Sequence, residues 1–331
     1  MLRRLPVFAA LALALVLAPA ALAGGPNPAG LQQGAGALLP GSTTRYVAVA
    51  AGSDTLLEAL RTTDGRVTRS LPLSGAWGLA TVGRDPATAG ISRDGRTLVL
   101  TGTQIGRPTS FTVVDTKPLR VRSSFTLRGT YAFDALSPYG SRLYLIQYAG
   151  QDYGRYVVRA YDLRAHRLLP GRIADRTQKS WVMQGFPASR TSSPDGRWVY
   201  TLYANPGGYP FVHALDTVRG VAHCTGVPWT GSESAPWNMR LALRDGGRSL
   251  AVNLHGGRTF AAIDTRTWRV SYARAHTGAA FPWRWLGIAA GGVAALSLAA
   301  GVLLLRRRRR DQELEQELVH LVGRAEREVV V

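Results

Sequence analysis

The sequence predicts an all-β fold made of about five repeated four-stranded units. Two recurring phrases and the spacing of their copies predict it. A turn phrase opens a strand four times, in ISRDGRTLVL (91–100), LSPYGSRLYLI (136–146), SSPDGRWVYTLY (192–203) and LALRDGGRSLAVN (241–253). A second phrase follows each copy, in FTVVDT (111–116), VRAYDL (158–163), VHALDT (212–217) and FAAIDT (260–265). Both phrases recur about every 50 residues, and a shared period indicates that one supersecondary unit is used repeatedly.

The strands within one unit follow from the local sequence. Asp-Gly or Tyr-Gly in the turn phrase permits the positive φ of a tight hairpin, and the apolar and aromatic residues after it predict a strand. The second phrase is a strand that ends at an aspartate, whose side chain can cap its own turn. With one short strand before the turn phrase and one after the second phrase, each unit has four strands, named A to D. A degenerate first unit contains RYVAVA (45–50), TLLEAL (55–60) and TTDGRVTRSLPL (62–73).

Regular four-stranded units with Gly-rich turns predict a β-propeller, in which radial repetition leaves only short, protected sheet edges. Over roughly residues 40–272 the chain resembles YVTN-type and TolB-like β-propeller repeats. Residues 193–197 (SPDGR) match the S-P-D-G-[KR] turn of those repeats, and residues 113–116 (VVDT) and 263–265 (IDT) match their V-x-V-I-D-T phrase. The resemblance implies a fold rather than a function. Five blades are detectable; six or seven stay open, with 73–86 and 170–186 as candidates for hidden strands.

The two ends of the chain predict export and a membrane anchor. Residues 1–23 have a charged start, an apolar core and an A-x-A site, as in a cleaved Sec signal peptide; an uncleaved anchor is the alternative. Residues 285–305 carry no charge and as a helix extend roughly 31 Å, the thickness of a hydrocarbon core. Five arginines follow at 306–310. By the positive-inside rule we expect residues 24–282 outside the cytoplasm and the C-terminus inside.

The predicted organisation therefore has six parts. They are a signal peptide (1–23), a Gly/Pro/Ala-rich lead (24–40), a β-propeller ectodomain (41–272), a stalk (273–284), a transmembrane helix (285–305) and a basic stop with a short amphipathic helix (306–331). In the transmembrane helix Gly287, Gly291, Ala295 and Ala299 fall four residues apart. Such a stripe of small residues lets two helices approach closely, so a homodimer through this helix is a hypothesis; chance is the alternative in a segment so rich in Ala and Gly.

Charge restricts the class of partner. Residues 24–282 have a net charge of +15, which favours anionic lipid headgroups or acidic envelope polymers. Nucleic acid is not an expected partner outside the cytoplasm. The alternative explanation is base composition, because the chain has only two lysines among its 40 basic residues.

Sequence motifs for catalysis are lacking. The chain has no H-E-x-x-H, G-x-S-x-G or S-x-x-K. His223 beside Cys224 lacks metal-ligand spacing, because adjacent side chains on a strand point to opposite faces. We expect no catalytic residue, no metal and no cofactor, although a site assembled in the channel from several blades stays open. Cys224 is the only cysteine; it is expected to be a buried thiol, with pairing between chains as the alternative.

The repeated aspartates Asp115, Asp162, Asp216 and Asp264 are expected to cap turns rather than to form a ring of carboxylates. In a propeller both phrases place their turns on one face, here named the turn face, with the A–B and C–D turns. The opposite loop face carries the B–C and D–A loops, which are irregular and rich in aromatics and arginine. Such anchors on a rigid scaffold are typical of recognition surfaces.

The candidate ligand-binding residues on the loop face are Trp77, Arg107, Tyr153, Arg155, Trp181, Tyr209, Trp237 and Arg258. For each tryptophan the alternative is a wedge between blades. The predicted function is that of a membrane-anchored extracytoplasmic binding or interaction module, whose partner is a protein or an acidic envelope polymer. The alternatives are an exported hydrolase or lyase with a site in the propeller channel, and a sensor that signals to a cytoplasmic partner through its tail.

Overall fold

The fold is an all-β propeller, as predicted. The computed structural model describes residues 28–82, 89–106, 108–150, 152–175, 177, 183–205, 208–231 and 235–273. Within them twenty strands form five antiparallel sheets, and each sheet takes its strands from one continuous stretch of chain. We number these sheets blades 1 to 5 in chain order. The helical turns in this part of the chain are two short 3₁₀ segments, Ala235–Asn238 and Asp245–Gly247.

The first two blades contain seven strands. Blade 1 consists of β1 (Thr44–Ala51), β2 (Asp54–Arg61) and β3 (Val67–Leu73). Blade 2 consists of β4 (Trp77–Leu79), β5 (Thr97–Gly102), β6 (Thr109–Thr116) and β7 (Leu119–Leu127). In blade 2 each strand pairs with the next, so the order from the first strand outward is that of a meander.

The other three blades contain thirteen strands. Blade 3 consists of β8 (Tyr131–Leu136), β9 (Arg142–Ala149), β10 (Asp152–Asp162), β11 (Arg167–Leu168) and β12 (Met183–Gln184). Blade 4 consists of β13 (Phe186–Ser192), β14 (Trp198–Ala204), β15 (Phe211–Asp216) and β16 (Val221–Gly226). Blade 5 consists of β17 (Arg240–Arg244), β18 (Ser249–Asn253), β19 (Thr259–Asp264) and β20 (Val270–Tyr272).

The lead supplies the missing inner position of blade 1. Ala37 and Tyr46 exchange backbone hydrogen bonds of 2.7 and 2.9 Å, along the edge of β1 that β2 leaves open. Leu31 bridges Leu79 in the same way on the open edge of β4. The two insertions at 73–86 and 170–186 contain β4 and β12, which extend blades 2 and 3. In the described residues these insertions add strands to existing blades and do not form a further one.

The core lies between the blades. Four clusters of buried side chains each join one blade to the next, from blade 1 to blade 5. Strand β5 illustrates the cause: Leu98 and Leu100 pack toward blade 1, while Val99 packs toward blade 3, and all three are fully buried. Because neighbouring blades cover both faces, this strand is continuously apolar instead of alternating.

The second phrase connects the two turns of a blade. The threonine after the aspartate donates its hydroxyl to a carbonyl of the A–B turn: Thr116 to Gly95 at 2.5 Å, Thr217 to Arg197 at 2.8 Å and Thr265 to Gly247 at 2.7 Å. Leu163 replaces threonine in blade 3 and keeps only the backbone bond to Ser141. The phrase therefore recurs because it holds the turn face together.

Three of the four repeated aspartates cap their own turns, as predicted. Asp162, Asp216 and Asp264 each accept two backbone N–H bonds from residues two and three positions ahead. Asp115 differs, because the third residue after it is Pro118, which has no N–H. Its carboxylate pairs instead with Arg120 and Arg122, at 3.1 and 2.6 Å.

Replacing Thr217 by valine tests this connection. Thr217 is fully buried, and valine keeps its shape while removing the hydroxyl that reaches the A–B turn. We expect Thr217→Val to lower the free energy of unfolding by about 1–2 kcal/mol, the cost of leaving a buried carbonyl short of a donor. Denaturant unfolding measures it. Thr63→Val is the control, because Thr63 is exposed; equal losses in the two variants would contradict the role of Thr217.

Candidate functional site in the channel

The inner strands enclose a cavity of about 490 Å³. Its wall takes residues from the lead and from blades 2 to 5, which places it near the propeller axis. The apolar part of the wall consists mainly of Leu39, Ile91, Phe133, Leu136, Val199 and Leu241. Residues of the A–B turns, Arg93, Ser193, Pro194 and Gly196, line it as well, so the cavity occupies the turn-face half of the channel. A volume of this size suits a small organic ligand.

A buried ion pair stands beside the cavity. The Nη2 of Arg190 on β13 lies 2.5 Å from Oδ1 of Asp134 on β8, and the two side chains are 5% and 1% exposed. Arg190 also donates through Nη1 to the backbone carbonyl of Asp134 and through Nε to the Thr201 hydroxyl at 2.9 Å. The pair thus joins the inner strands of blades 3 and 4.

A β-bulge makes this arrangement available. In the β8–β9 ladder Phe133 pairs with Leu145 and Ala135 with Tyr144, so the register skips Asp134. A bulged residue leaves the ladder and its backbone groups need other partners. The carbonyl of Asp134 finds one in the Arg190 guanidinium. The bulge therefore lets one residue accept from Arg190 through both its side chain and its backbone.

Arg93 closes the turn-face end of the cavity wall. Its Nε donates to the carbonyl of Pro194 at 2.8 Å, which ties the A–B turn of blade 2 to that of blade 4 across the axis. The N–H of Asp94 reaches the carbonyl of Pro138 in the turn of blade 3 at 3.1 Å. Gly196 lies so close that a Cβ there would be 2.8 Å from the Cβ of Arg93. The three turns converge because the Arg93 side chain reaches the Pro194 carbonyl, and because Gly196 has no Cβ to block that approach.

Polar side chains are also buried between blades 3 and 4. His213 on β15 is 1% exposed, its Nδ1 lies 3.4 Å from the Cys224 sulfur, and its Nε2 has no hydrogen-bond partner among the described residues. Burial lowers the pKa of His213. Burial also raises the pKa of Tyr203, with a further contribution from Asp134. These groups are neutral at physiological pH, which limits the cost of burying them.

The thiol of Cys224 is partly buried. Burial raises its pKa to about 12, and the negative charge of Asp175 adds to the shift. Its backbone N–H donates to Oδ2 of Asp175 at 2.8 Å. The burial expected for Cys224 is thus partial, and because the thiolate is the nucleophile, the raised pKa disfavours nucleophilic attack by this thiol.

Six of the eight candidate residues lie in the described part of the chain, at the loop-face ends of strands or on the loops there. Tyr209, Trp237, Arg155 and Arg258 are exposed. Trp77 is partly buried against the core between blades 1 and 2, and its indole N–H donates to the Ser74 carbonyl at 2.8 Å. Tyr153 packs edge-on against Tyr148, with ring centroids 5.0 Å apart. Arg107 and Trp181 lie outside the described residues.

The exposed aromatics on the loop face are held in place by neighbours. The Tyr209 ring covers Gly226, where a Cβ would meet it at 2.7 Å. The Trp237 ring lies 5.1 Å from that of Phe186. They belong to different loops, and each packs on its own neighbour.

The sequence contains a signal for the buried pair that lies outside the repeated phrases. Asp134 and Arg190 both stand four residues before the proline of a Ser-Pro turn, at Pro138 and Pro194. The two residues have opposite charges and occupy the same repeat position in adjacent blades. Each lies in a mainly uncharged strand, and this pattern predicts such a contact. The clue for Arg93 is that it replaces this proline in blade 2.

The described residues contain neither a cluster of metal ligands nor a membrane-spanning helix. None of their His, Cys, Asp and Glu side chains form a group of three that could hold a metal ion. In the same ranges no helix is long and apolar enough to cross a membrane. The predicted signal peptide, transmembrane helix and tail lie outside these ranges.

His213 makes stability depend on pH. Its pKa is lowered in the folded protein, so the unfolded chain binds more protons once the pH falls below about 6.5. We therefore expect the unfolding free energy to fall on acidification below that pH, with a slope of up to about 1.4 kcal/mol per pH unit.

Denaturant unfolding at several pH values between 7.5 and 5 measures this slope. His213→Gln and His213→Phe should both flatten it, whereas His255→Gln, which changes an exposed histidine, should leave it as in the unchanged protein. An identical slope in all four proteins would show that His213 does not carry the effect.

Comparison with known proteins yields similarity of fold alone. No family model matches the chain, and no curated protein matches it. Among solved structures the chain is similar to hydrazine synthase of Kuenenia stuttgartiensis, with a TM-score of 0.45 and 15% identity over 69% of this chain and 63% of the other. It is similar to the Cps50 (Swd1) β-propeller domain of Myceliophteria thermophila, with a TM-score of 0.43 and 12% identity over 76% and 69%. For TolB of Acinetobacter baumannii the TM-score is 0.39, with 16% identity over 71% of this chain and 54% of that protein.

Proposed function

We propose that this protein is a binding module of the cell envelope, which residues 285–305 anchor in the cytoplasmic membrane as a single-pass helix. Residues 24–282 then lie outside the cytoplasm and the C-terminus lies inside. The module binds a protein partner on its loop face, and an acidic envelope polymer is the competing ligand. The anchor and the orientation rest on the apolar segment and the arginines that follow it.

The exposed aromatics of the loop face carry the proposal. Tyr209 is 53%, Tyr272 45% and Trp237 42% exposed. Large aromatics on a rigid scaffold bury much area at little entropic cost, which is why Tyr and Trp dominate binding hot spots. Arg155 and Arg258 on the same face are exposed as well. We therefore expect a partner with apolar groups and carboxylates.

The exit point of the chain supports a partner near the membrane. Strand β20 runs from the turn face to the loop face and ends at Tyr272. The chain thus leaves the propeller on the loop face, and the predicted transmembrane helix begins 12 residues after Ala273. A partner held in the same membrane is within reach of a linker of this length.

The test is a pull-down from detergent-solubilised membranes with the tagged full-length chain. We expect a specific partner with the unchanged protein, and its loss when Tyr209→Ala and Trp237→Ala are combined. Tyr139→Ala is the matched control, because Tyr139 is an 80% exposed aromatic on the A–B turn of blade 3, on the opposite face. Recovery of the chain from carbonate-washed membranes, but not of a chain ended after Ala273, checks the anchor in the same preparation.

Three results would contradict the proposal. The first is equal recovery of the partner by the loop-face variant and the unchanged chain. The second is loss of the partner with Tyr139→Ala. The third is recovery of acidic polymer in place of a protein, which would assign the face to the competing ligand.

A further inference from the structure

We propose that the channel cavity is a second binding site, which takes a small carboxylic acid with an apolar body in its carboxylate form. The cavity lies in the turn-face half of the channel, away from the loop face of the proposed function. It therefore does not depend on that function. Three features of the wall carry the inference: the donors of Arg190, the position of Arg93 and the apolar remainder.

Arg190 has more N–H donors than its described partners accept. A guanidinium has five N–H bonds, and the protein accepts three of them, at Thr201 and at the side chain and carbonyl of Asp134. Arg190 is nine-tenths buried and lines the cavity. Two N–H bonds are thus left without an acceptor among the described residues, in a place where unmet donors are costly. An oxygen of a ligand or of water has to accept them.

Arg93 adds a positive charge at the turn-face end of the cavity. Its Nε is bound to the Pro194 carbonyl, which fixes the side chain across the axis. The side chain is solvent-exposed, and among the described residues its hydrogen bond is made through Nε. The described side chains that line the cavity include no carboxylate. Asp134 and Arg190 neutralise each other through Oδ1, and the buried Oδ2 of Asp134 has no partner among these residues. Within the described wall, the charge without a carboxylate partner is therefore that of Arg93, and it favours an anion.

The rest of the wall selects the body of the ligand. Leu39, Ile91, Phe133, Val199 and Leu241 are aliphatic or aromatic, and they gain from an apolar group at roughly 25 cal/mol per Å² of area buried. A bare phosphate or sulfate ion would leave this surface uncovered. Arginine suits a carboxylate because its planar fork matches the two oxygens. The combination fits an apolar monocarboxylate.

The experiment measures binding of 4-phenylbutanoate to the full-length chain in detergent micelles by titration calorimetry, with empty micelles as the blank. We expect saturable binding of one molecule per chain. 4-Phenylbutan-1-ol, which has the same body without the charge, should bind at least about tenfold more weakly, as expected from the loss of a charge-assisted hydrogen bond. Inorganic phosphate should not compete.

Variants separate the cavity from the rest of the surface. Arg93→Gln should weaken binding by about tenfold. Arg96→Gln is the matched control, because Arg96 is an exposed arginine of the same turn outside the cavity wall; it should bind as the unchanged chain does. Ile91→Trp, which fills the cavity from its wall, should abolish binding. Unfolding midpoints report whether each variant folds. If Arg93→Gln fails to fold, the binding measured with Ile91→Trp decides the test.

Several outcomes would overturn the proposal. These are no saturable binding by the unchanged chain, equal binding of the alcohol, displacement by phosphate, or undiminished binding in folded Ile91→Trp. The loop-face variants of the pull-down leave the cavity wall unchanged and should bind 4-phenylbutanoate normally. Failure of this site and failure of the proposed partner surface are thus separate results.

Discussion

The ion pair between Asp134 and Arg190 is the contact on which the centre of the molecule depends. Its two residues lie on the inner strands of adjacent blades and are almost completely buried. Two charges taken out of water cost several kcal/mol each unless geometry and hydrogen bonds offset the loss. Here a bulge in β8 frees a carbonyl, and Thr201 accepts a third bond. The same guanidinium forms part of the cavity wall, so the contact that joins blades 3 and 4 also gives the channel its polar side.

The two faces of the propeller have different constraints. On the turn face, threonine hydroxyls connect the turns within a blade, and Arg93 connects turns across the axis. On the loop face Tyr209 and Trp237 pack on one neighbour each and remain half exposed. A rigid turn face and an adaptable loop face are what a binding scaffold needs.

Sequence patterns predicted the repeated architecture well because a periodic phrase reports local structure. The SPDGR turn and the aspartates 162, 216 and 264 adopt the hairpins and caps that their residue types favour. Pairings between distant residues have no such local phrase, and the one between Asp134 and Arg190 is indicated only by opposite charges at equivalent repeat positions. The lead strand at Ala37 has no alternating pattern, and the partner of Asp134 is 56 residues away. The cavity arises from residues of the lead and of blades 2 to 5, none of which is unusual by itself. On the loop face, residue types predicted that Tyr209 and Trp237 are exposed. Trp77 is partly buried instead, because a large aromatic side chain at the start of a strand also gains by packing.

A double-mutant cycle on Asp134 and Arg190 tests the central claim most directly. Denaturant unfolding is measured for Asp134→Leu, Arg190→Met, the double variant and the unchanged chain. Each single change should cost about 3–5 kcal/mol, because it leaves one buried charge without its partner. The double change should cost much less than the sum, with a coupling of about 2 kcal/mol or more between the two sites. Additive losses in the double variant would mean that the pair does not join the blades, and would contradict this account.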